Sequence, residues 1–234
     1  TYLVATNNGQ SMTDRPIAYA TWFNAARFAN WMANGQPSGA QGPATTEDGA
    51  YTLNGATSGT EFTRNATNPN SGQAVTWWIP SEDEWYKAAY YSPGTSPDGY
   101  WLYPTQSNDA PGTEAGPLPN QANYNDSITS DPRIAAVGSY SGSASHYGTF
   151  DQGGNMYEWN DAVVNVNYRG VRGASWDQAS AQLRSTSRTY ACPDDEDIKV
   201  GFRLASVPEP SIVGLLLAGS VGLLAMRRCH NTFR

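Results

Sequence analysis

Glycine and proline recur too often along this chain for any long regular element to form. They number 23 and 15 among 234 residues, about one position in six. Proline removes a backbone donor and fixes φ, and glycine weakens helix and strand interiors. The spacing therefore predicts short elements joined by many turns. Eight tryptophans and 14 tyrosines accompany them. Disordered segments lack such aromatics, so the chain must bury a core, and a coiled coil, a helical bundle and a collagen-like rod are excluded. Only 15% of residues are charged, against about 25% in an average domain. Neutral polar groups must then cover much of the surface.

The net charge is −7. Arg227, Arg228 and Arg234 fall after Val207 with a single acid, Glu209, so the body is more acidic than the whole. Nucleic-acid affinity rests on cationic contacts to phosphate, and an acidic body argues against that partner. It suits calcium, which takes carboxylate and carbonyl oxygens. The two cysteines, Cys192 and Cys229, and the two histidines, His146 and His230, are each split between body and tail. A structural zinc site needs about four such ligands and a catalytic one about three; a two-histidine iron site fails on the same ground. Cys192 reads as a structural thiol and His146 as an ordinary loop residue. Tyr2-Leu3-Val4-Ala5 is too short for a signal-peptide core, so a leader is expected to precede Thr1.

Residues 207–234 form a tail in three parts. Val207-Pro208-Glu209-Pro210 is followed by an uncharged run over 212–226 and then Arg227-Arg228. As a helix that run would be about 22 Å long, against about 30 Å of hydrocarbon, and the basic residues after it favour a cytoplasmic C-terminus. The tail resembles a PEP-CTERM sorting signal. That resemblance implies export, transient membrane anchoring through the C-terminal hydrophobic helix, and removal by an exosortase-type peptidase, leaving the body at the cell surface or outside it.

In the body (residues 1–206) two helices are legible. Thr21 can cap a run in which Trp22, Ala25, Ala29 and Met32 recur at helical spacing and which Gly35 ends. Ser81 and Glu84 form a capping box, and Pro93-Gly94 follows the second run. The aromatics of both helices are expected in the core. Strands are expected near 50–53, 61–64, 168–172, 183–187 and 201–204. No solenoid period or βαβ alternation is present.

Four motifs stand in order: Tyr19-Ala-Thr-Trp-Phe-Asn-Ala-Ala-Arg-Phe; Ile79-Pro-Ser-Glu-Asp-Glu-Trp-Tyr-Lys-Ala-Ala; Asp151-Gln-Gly-Gly-Asn-Met-Tyr-Glu-Trp; and Arg172-Gly-Ala-Ser-Trp followed by Leu183-Arg-Ser, Arg188 and Val200-Gly-Phe-Arg-Leu. Together they resemble the formylglycine-generating enzyme (sulfatase-modifying factor) family over about residues 13–205. The resemblance implies an α+β fold, the irregular, loop-rich variant of the C-type-lectin-like fold seen in that family, with the family's first strands missing here. It also implies two calcium sites. One comprises Asp151, the carbonyls of Gly154 and Met156, and Glu158; two carboxylates and backbone oxygens in a tight turn suit a hard cation. The other comprises Asn123, the Tyr124 carbonyl, Asp131 and the Arg133 carbonyl, with Asp126 as a rival ligand.

The chain departs from the family at its chemistry. The oxidase binds copper through two cysteines between the Gly-Gly-Ser-like turn and the next arginine. Copper(I) selects such thiolates. Here Ser175 to Arg184 contains no cysteine, so copper is not expected. The first expectation is a non-catalytic, calcium-stabilised binding module for a glycan or peptide, with Trp176, Asp177, Gln178, Ser180 and Gln182 at the position of the lost active site. The alternative is an oxidoreductase of the formylglycine-generating type acting on protein cysteine or a related substrate. A purely structural envelope or matrix role overlaps the first.

Overall fold

A computed structural model describes residues 6–7, 10–94 and 98–207, with side chains from residue 12 onward. The sorting tail beyond Val207, with its expected helix over 212–226, Cys229 and His230, lies outside the described residues. Among those described, no helix is long and apolar enough to cross a membrane.

The architecture is mixed α and β with little regular structure. In chain order it comprises β1 (Thr6–Asn7), β2 (Gln10–Ser11), α1 (Trp22–Ala33), β3 (Trp77–Trp78), α2 (Glu82–Tyr90), β4 (Tyr157–Asn165), β5 (Tyr168–Arg172), β6 (Thr189–Ala191), β7 (Val200–Phe202) and β8 (Ala205–Ser206). A four-stranded sheet runs β6-β5-β4-β7, antiparallel except that β4 and β7 are parallel. β3 pairs with β8, and β1 with β2.

The helices start where their caps dictate. Thr21 Oγ1 accepts from Asn24 N at 3.0 Å, and Gly35, at φ 79°, closes α1 by donating to the Met32 carbonyl. In α2, Glu84 N donates to Ser81 Oγ (3.2 Å) while Ser81 N donates to Glu84 Oε2 (2.8 Å). The main core joins one face of α1 (Trp22, Phe23, Ala25, Ala29) to Tyr51, Leu53, Ile79 and the sheet residues Trp159, Val171 and Val200. Trp85 and Tyr90 of α2 are buried too, but Phe28 is 43% exposed, so not every helix aromatic is core.

Three expected strands are not strands. Residues 50–53 and 61–64 are irregular, and 183–187 follows a short 3₁₀ turn at Ser180–Leu183. Tyr51, Leu53 and Leu183 are buried and Phe62 is partly so, but other groups satisfy their backbone. The Asn30 amide both accepts from Tyr51 N (2.7 Å) and donates to Tyr51 O (2.9 Å). The Arg172 guanidinium takes the carbonyls of Ser185 and Ser187. The expected strand at 168–172 is β5, and that at 201–204 overlaps β7, which starts one residue earlier and ends two earlier.

Candidate functional site

A cleft of about 610 Å³ lies where residues 12–19 cross the 131–134 segment, and Ile17, Tyr19, Ile134, Ile198 and Trp176 make its wall largely apolar. Trp176 follows the β5 turn. Two cations approach its ring, the Arg133 guanidinium carbon at 5.0 Å and Lys199 Nζ at 5.8 Å from the centroid. Its indole N–H is buried with no hydrogen-bond partner. The N–H is closed off from the cleft, as is that of Trp22 in the core, so what Trp176 offers the cleft is its ring.

Asp177 stands beside it. Lys199 Nζ reaches its Oδ2 at 2.5 Å, and Ser175 Oγ donates to Oδ1 at 2.6 Å. Burial opposes ionisation of Asp177, but the Lys199, Ser175 and Gln178 hydrogen bonds outweigh it and hold the carboxyl below its usual range. The bond to Asp177 in turn lifts Lys199. Both charges are therefore fixed and mutually neutralised, and neither is poised to move a proton near neutral pH. Gln178 extends this group, donating to Asp177 at 3.2 Å. Ser180 and Gln182 belong to the 3₁₀ turn; neither lines the cleft, and Gln182 is exposed. Of the five expected ligand residues only Trp176 lines the cleft; Asp177 and Gln178 are bonded together beside it, outside the lining. Arg133, assigned above only through its carbonyl, and Lys199, assigned nothing, flank the ring. The position of Lys199 just before Val200-Gly-Phe-Arg was the available signal. Cys192, at the end of β6, does not line the cleft.

The Asp151–Glu158 turn borders a second cavity, of about 330 Å³, which Pro16 shares with the first. Asp151, Gly154 and Asn155 all have positive φ. A Cβ on Gly154 would lie 2.2 Å from the Asn123 carbonyl, so only glycine permits this fold-back. Glu158, on β4, is gripped by Arg203 at both oxygens (2.5 Å each) and by Trp85 Nε1 at 2.7 Å. Asp151 receives one long bond, from Gly138 N at 3.3 Å. Burial pushes its carboxyl up, against the pull of that bond and of Arg203.

The donor set can be tested against calcium on this geometry. Asp151 is a half-buried carboxylate whose nearest guanidinium is committed to Glu158, and the Gly154 carbonyl accepts only the local Met156 N–H at 2.8 Å. Asp151 is thus the one carboxylate of the set without a close cation, and a hard cation would have to compete with Arg203 for Glu158. Among the described residues no three His, Cys, Asp or Glu side chains cluster for a metal, so the carbonyls would have to supply the remaining ligands.

The second expected set does not converge in the same way. Asn123 Nδ2 donates to the Arg133 carbonyl (2.8 Å) and to Asn155 Oδ1 (3.0 Å), while its Oδ1 accepts from Ser127. The Tyr124 carbonyl accepts from Ser127 N. Asn123 and Arg133 are adjacent, but as an amide–carbonyl pair and not as two oxygens facing a cation. Asp131 is exposed at the cleft rim. The rival ligand Asp126 is ion-paired with Arg133 at 2.7 Å.

Comparison with solved structures gives the crystal structure of CarF: 18% identity over 83% of this chain and 68% of that one, with a TM-score of 0.50. PvdO from Pseudomonas aeruginosa is also similar, at 18% identity over 84% of this chain and 64% of that one, with a TM-score of 0.49. Treponema denticola variable protein 1 gives 15% identity over 87% and 75%, with a TM-score of 0.45. No curated protein sequence matches the chain. Residues 4–207 match the family model described as the sulfatase-modifying factor enzyme 1-like domain. With the motif order and the turn at Asp151 already in place, that match over most of its length assigns the chain to the sulfatase-modifying factor (FGE-sulfatase) domain family.

Proposed function

We propose that this chain is a calcium-braced binding domain that uses the family scaffold without the family's cysteine oxidation. The observation that carries the reading is the Trp176 wall: an apolar cleft lined by an indole ring that two cations approach. Such a wall suits an oxygen-rich ligand with an apolar face, a glycan or a peptide carbonyl. The cysteine-free stretch from Ser175 to Arg184 supports the absence of a copper thiolate pair. Trp176→Ala removes the ring from the cleft wall, so it should weaken ligand capture by about tenfold. Glycan and peptide arrays provide the ligand, and equal binding by both forms would remove Trp176 from the account.

The competing reading, formylglycine-type oxidation, draws on family membership. It is tested by incubating the protein with copper, calcium and a sulfatase-type cysteine peptide beside a competent oxidase, then weighing the peptide. Our reading expects the cysteine unchanged; its conversion to formylglycine would overturn the reading. The Pro-Glu-Pro tail supports export and handling by an exosortase-type peptidase, with transient anchoring before release to the cell surface or beyond. The mass of the secreted protein should then lack the tail.

A further inference from the structure

A chain of touching aromatic rings leads from the core to the surface on the far side of α2. Tyr90, buried, meets Tyr86 at 5.1 Å between centroids, Tyr86 meets Tyr100 at 4.9 Å, and Tyr100 meets Tyr91 at 6.1 Å. Tyr91 then stacks on Tyr147 (5.4 Å, 22° between planes), and His146 meets both at steep angles, at 5.3 and 5.1 Å. None of these residues lines the two cavities described above. Tyr147 is 50% exposed although Tyr91 stacks on it and His146 abuts it, so a large part of the ring still meets solvent. His146 and Lys87 are exposed, and Lys87 Nζ lies 5.7 Å from the Tyr91 centroid.

The loop presenting these rings is pinned at its base. Ser145 N donates to the Thr149 carbonyl (2.8 Å), and the Ser145 and Thr149 hydroxyls are 2.6 Å apart. Thr149 Oγ1 reaches the Ala88 carbonyl of α2 at 3.4 Å, and Gly148, at φ 76°, makes the return. Tyr91 is tied to Tyr100 by an isolated β-bridge. The rings are therefore ordered before any ligand arrives, which lowers the entropic cost of binding.

The chemistry selects the ligand. A chain of net charge −7 repels polyanions, which disfavours nucleic acid and acidic polysaccharide. A purely apolar partner would meet ring faces interrupted by phenol, imidazole and ammonium groups. A pyranose has an apolar C–H face of ring size and a rim of hydroxyls that both donate and accept, and tyrosine offers the same combination of apolar body and wet tip. We propose that Tyr91, His146 and Tyr147, backed by Tyr100 and flanked by Lys87, form a stacking site for a neutral pyranoside chain. Sugars with equatorial hydroxyls, as in β-linked glucans and chitin, present flat faces and fit best.

Calorimetric titration of the full chain with cellohexaose and chitohexaose tests this. At least one should bind, Tyr147→Phe should retain binding, and Tyr147→Ala should lose about tenfold in affinity. Tyr147 sits at an exposed loop tip, so the alanine variant keeps its fold, and its melting temperature verifies that. Val166→Ala, at the exposed hairpin between β4 and β5, should bind as the parent does. The proposal is overturned if neither sugar binds or if Tyr147→Ala binds as tightly as the parent. It is equally overturned if Trp176→Ala alone removes binding, which places the sugar in the cleft. Loss of self-association or of phosphatidylcholine-vesicle binding in Tyr147→Ala, without sugar binding, would assign the rings to a second copy or a lipid surface and also overturn it.

Discussion

Arg169 lies beneath the Trp22 ring, 3.6 Å from its centroid and without exposed surface. Its guanidinium ties the carbonyls of Thr60 and Phe62 to β4 through Asp161 at 3.0 Å. A buried cation in an aromatic core is tolerable only because nearly every donor finds an oxygen. Asp161 shares the burial, which pushes its carboxyl up to about 6 despite the pull of Arg169. The native state therefore holds this proton more tightly than the unfolded chain. The group's contribution to stability is fully present below its unfolded value and is lost as pH rises through about 6. Going from about pH 7 to about pH 5 should accordingly strengthen the fold by about 1 kcal/mol through this site. Glu47, Glu84 and Asp177 act in the opposite sense at lower pH: burial raises them, but their hydrogen-bond partners prevail and hold all three below their usual range. Their contributions are present above the unfolded values and fade as pH falls through the folded ones. Denaturant melts of the parent and Asp161→Asn across this range separate the two. The parent's gain on mild acidification should shrink in the variant, and an undiminished gain would trace it to another group.

The elements differ in how plainly the sequence announces them. Both helices were legible because side-chain caps write their starts: Thr21 before α1, and the reciprocal Ser81–Glu84 pair before α2. Glu84 also takes the Trp78 indole N–H at 2.9 Å, so the cap of α2 anchors β3 as well. Ser81→Ala should cost about 1 kcal/mol, read as a lower urea midpoint with an unchanged slope, and no loss would mean that Glu84 alone holds the turn. β4, the longest strand, escaped the reading. Its buried positions include Glu158 and Asn160, polar residues that pattern analysis assigns to solvent and that Trp85, Arg203 and Glu82 satisfy instead. The false strands erred in reverse, with apolar alternation spent on loops whose backbone bonds to Asn30 and Arg172. The candidate site was legible where a motif is local, at Trp176, Asp177 and the Asp151 turn. Lys199 and the Tyr91–Tyr147 stack were hidden because residues 22 and 56 positions apart meet only in the fold.

At the scale of the whole molecule, the Asp151 turn joins otherwise separate parts. Its cavity touches Pro16 from the N-terminal segment, Val137 from the long loop region, and Gly201 to Arg203 from β7 and beyond. Gly154 packs on Asn123, and Gln152 donates to the Trp85 carbonyl of α2. Without a bound ion, Arg203 is the guanidinium among the described residues that acts on both acids, and it is committed to Glu158. A calcium ion bound by Asp151 and the turn carbonyls would relieve the charge that Arg203 leaves uncompensated and would clamp the segments together. At about one hundred times its dissociation constant, such an ion should stabilise the fold by about 2.7 kcal/mol, a rise of several degrees in melting temperature for a domain of this size. Asp151→Asn should remove most of that rise while leaving the calcium-free protein no weaker, because the buried charge goes with the ligand. Melting curves with a chelator, with calcium and with magnesium, for parent and variant, decide the matter. A parent indifferent to calcium would mean that the Arg203–Glu158 pair, with no ion, is what holds the turn. The loops presenting Trp176 would then be braced by protein contacts alone.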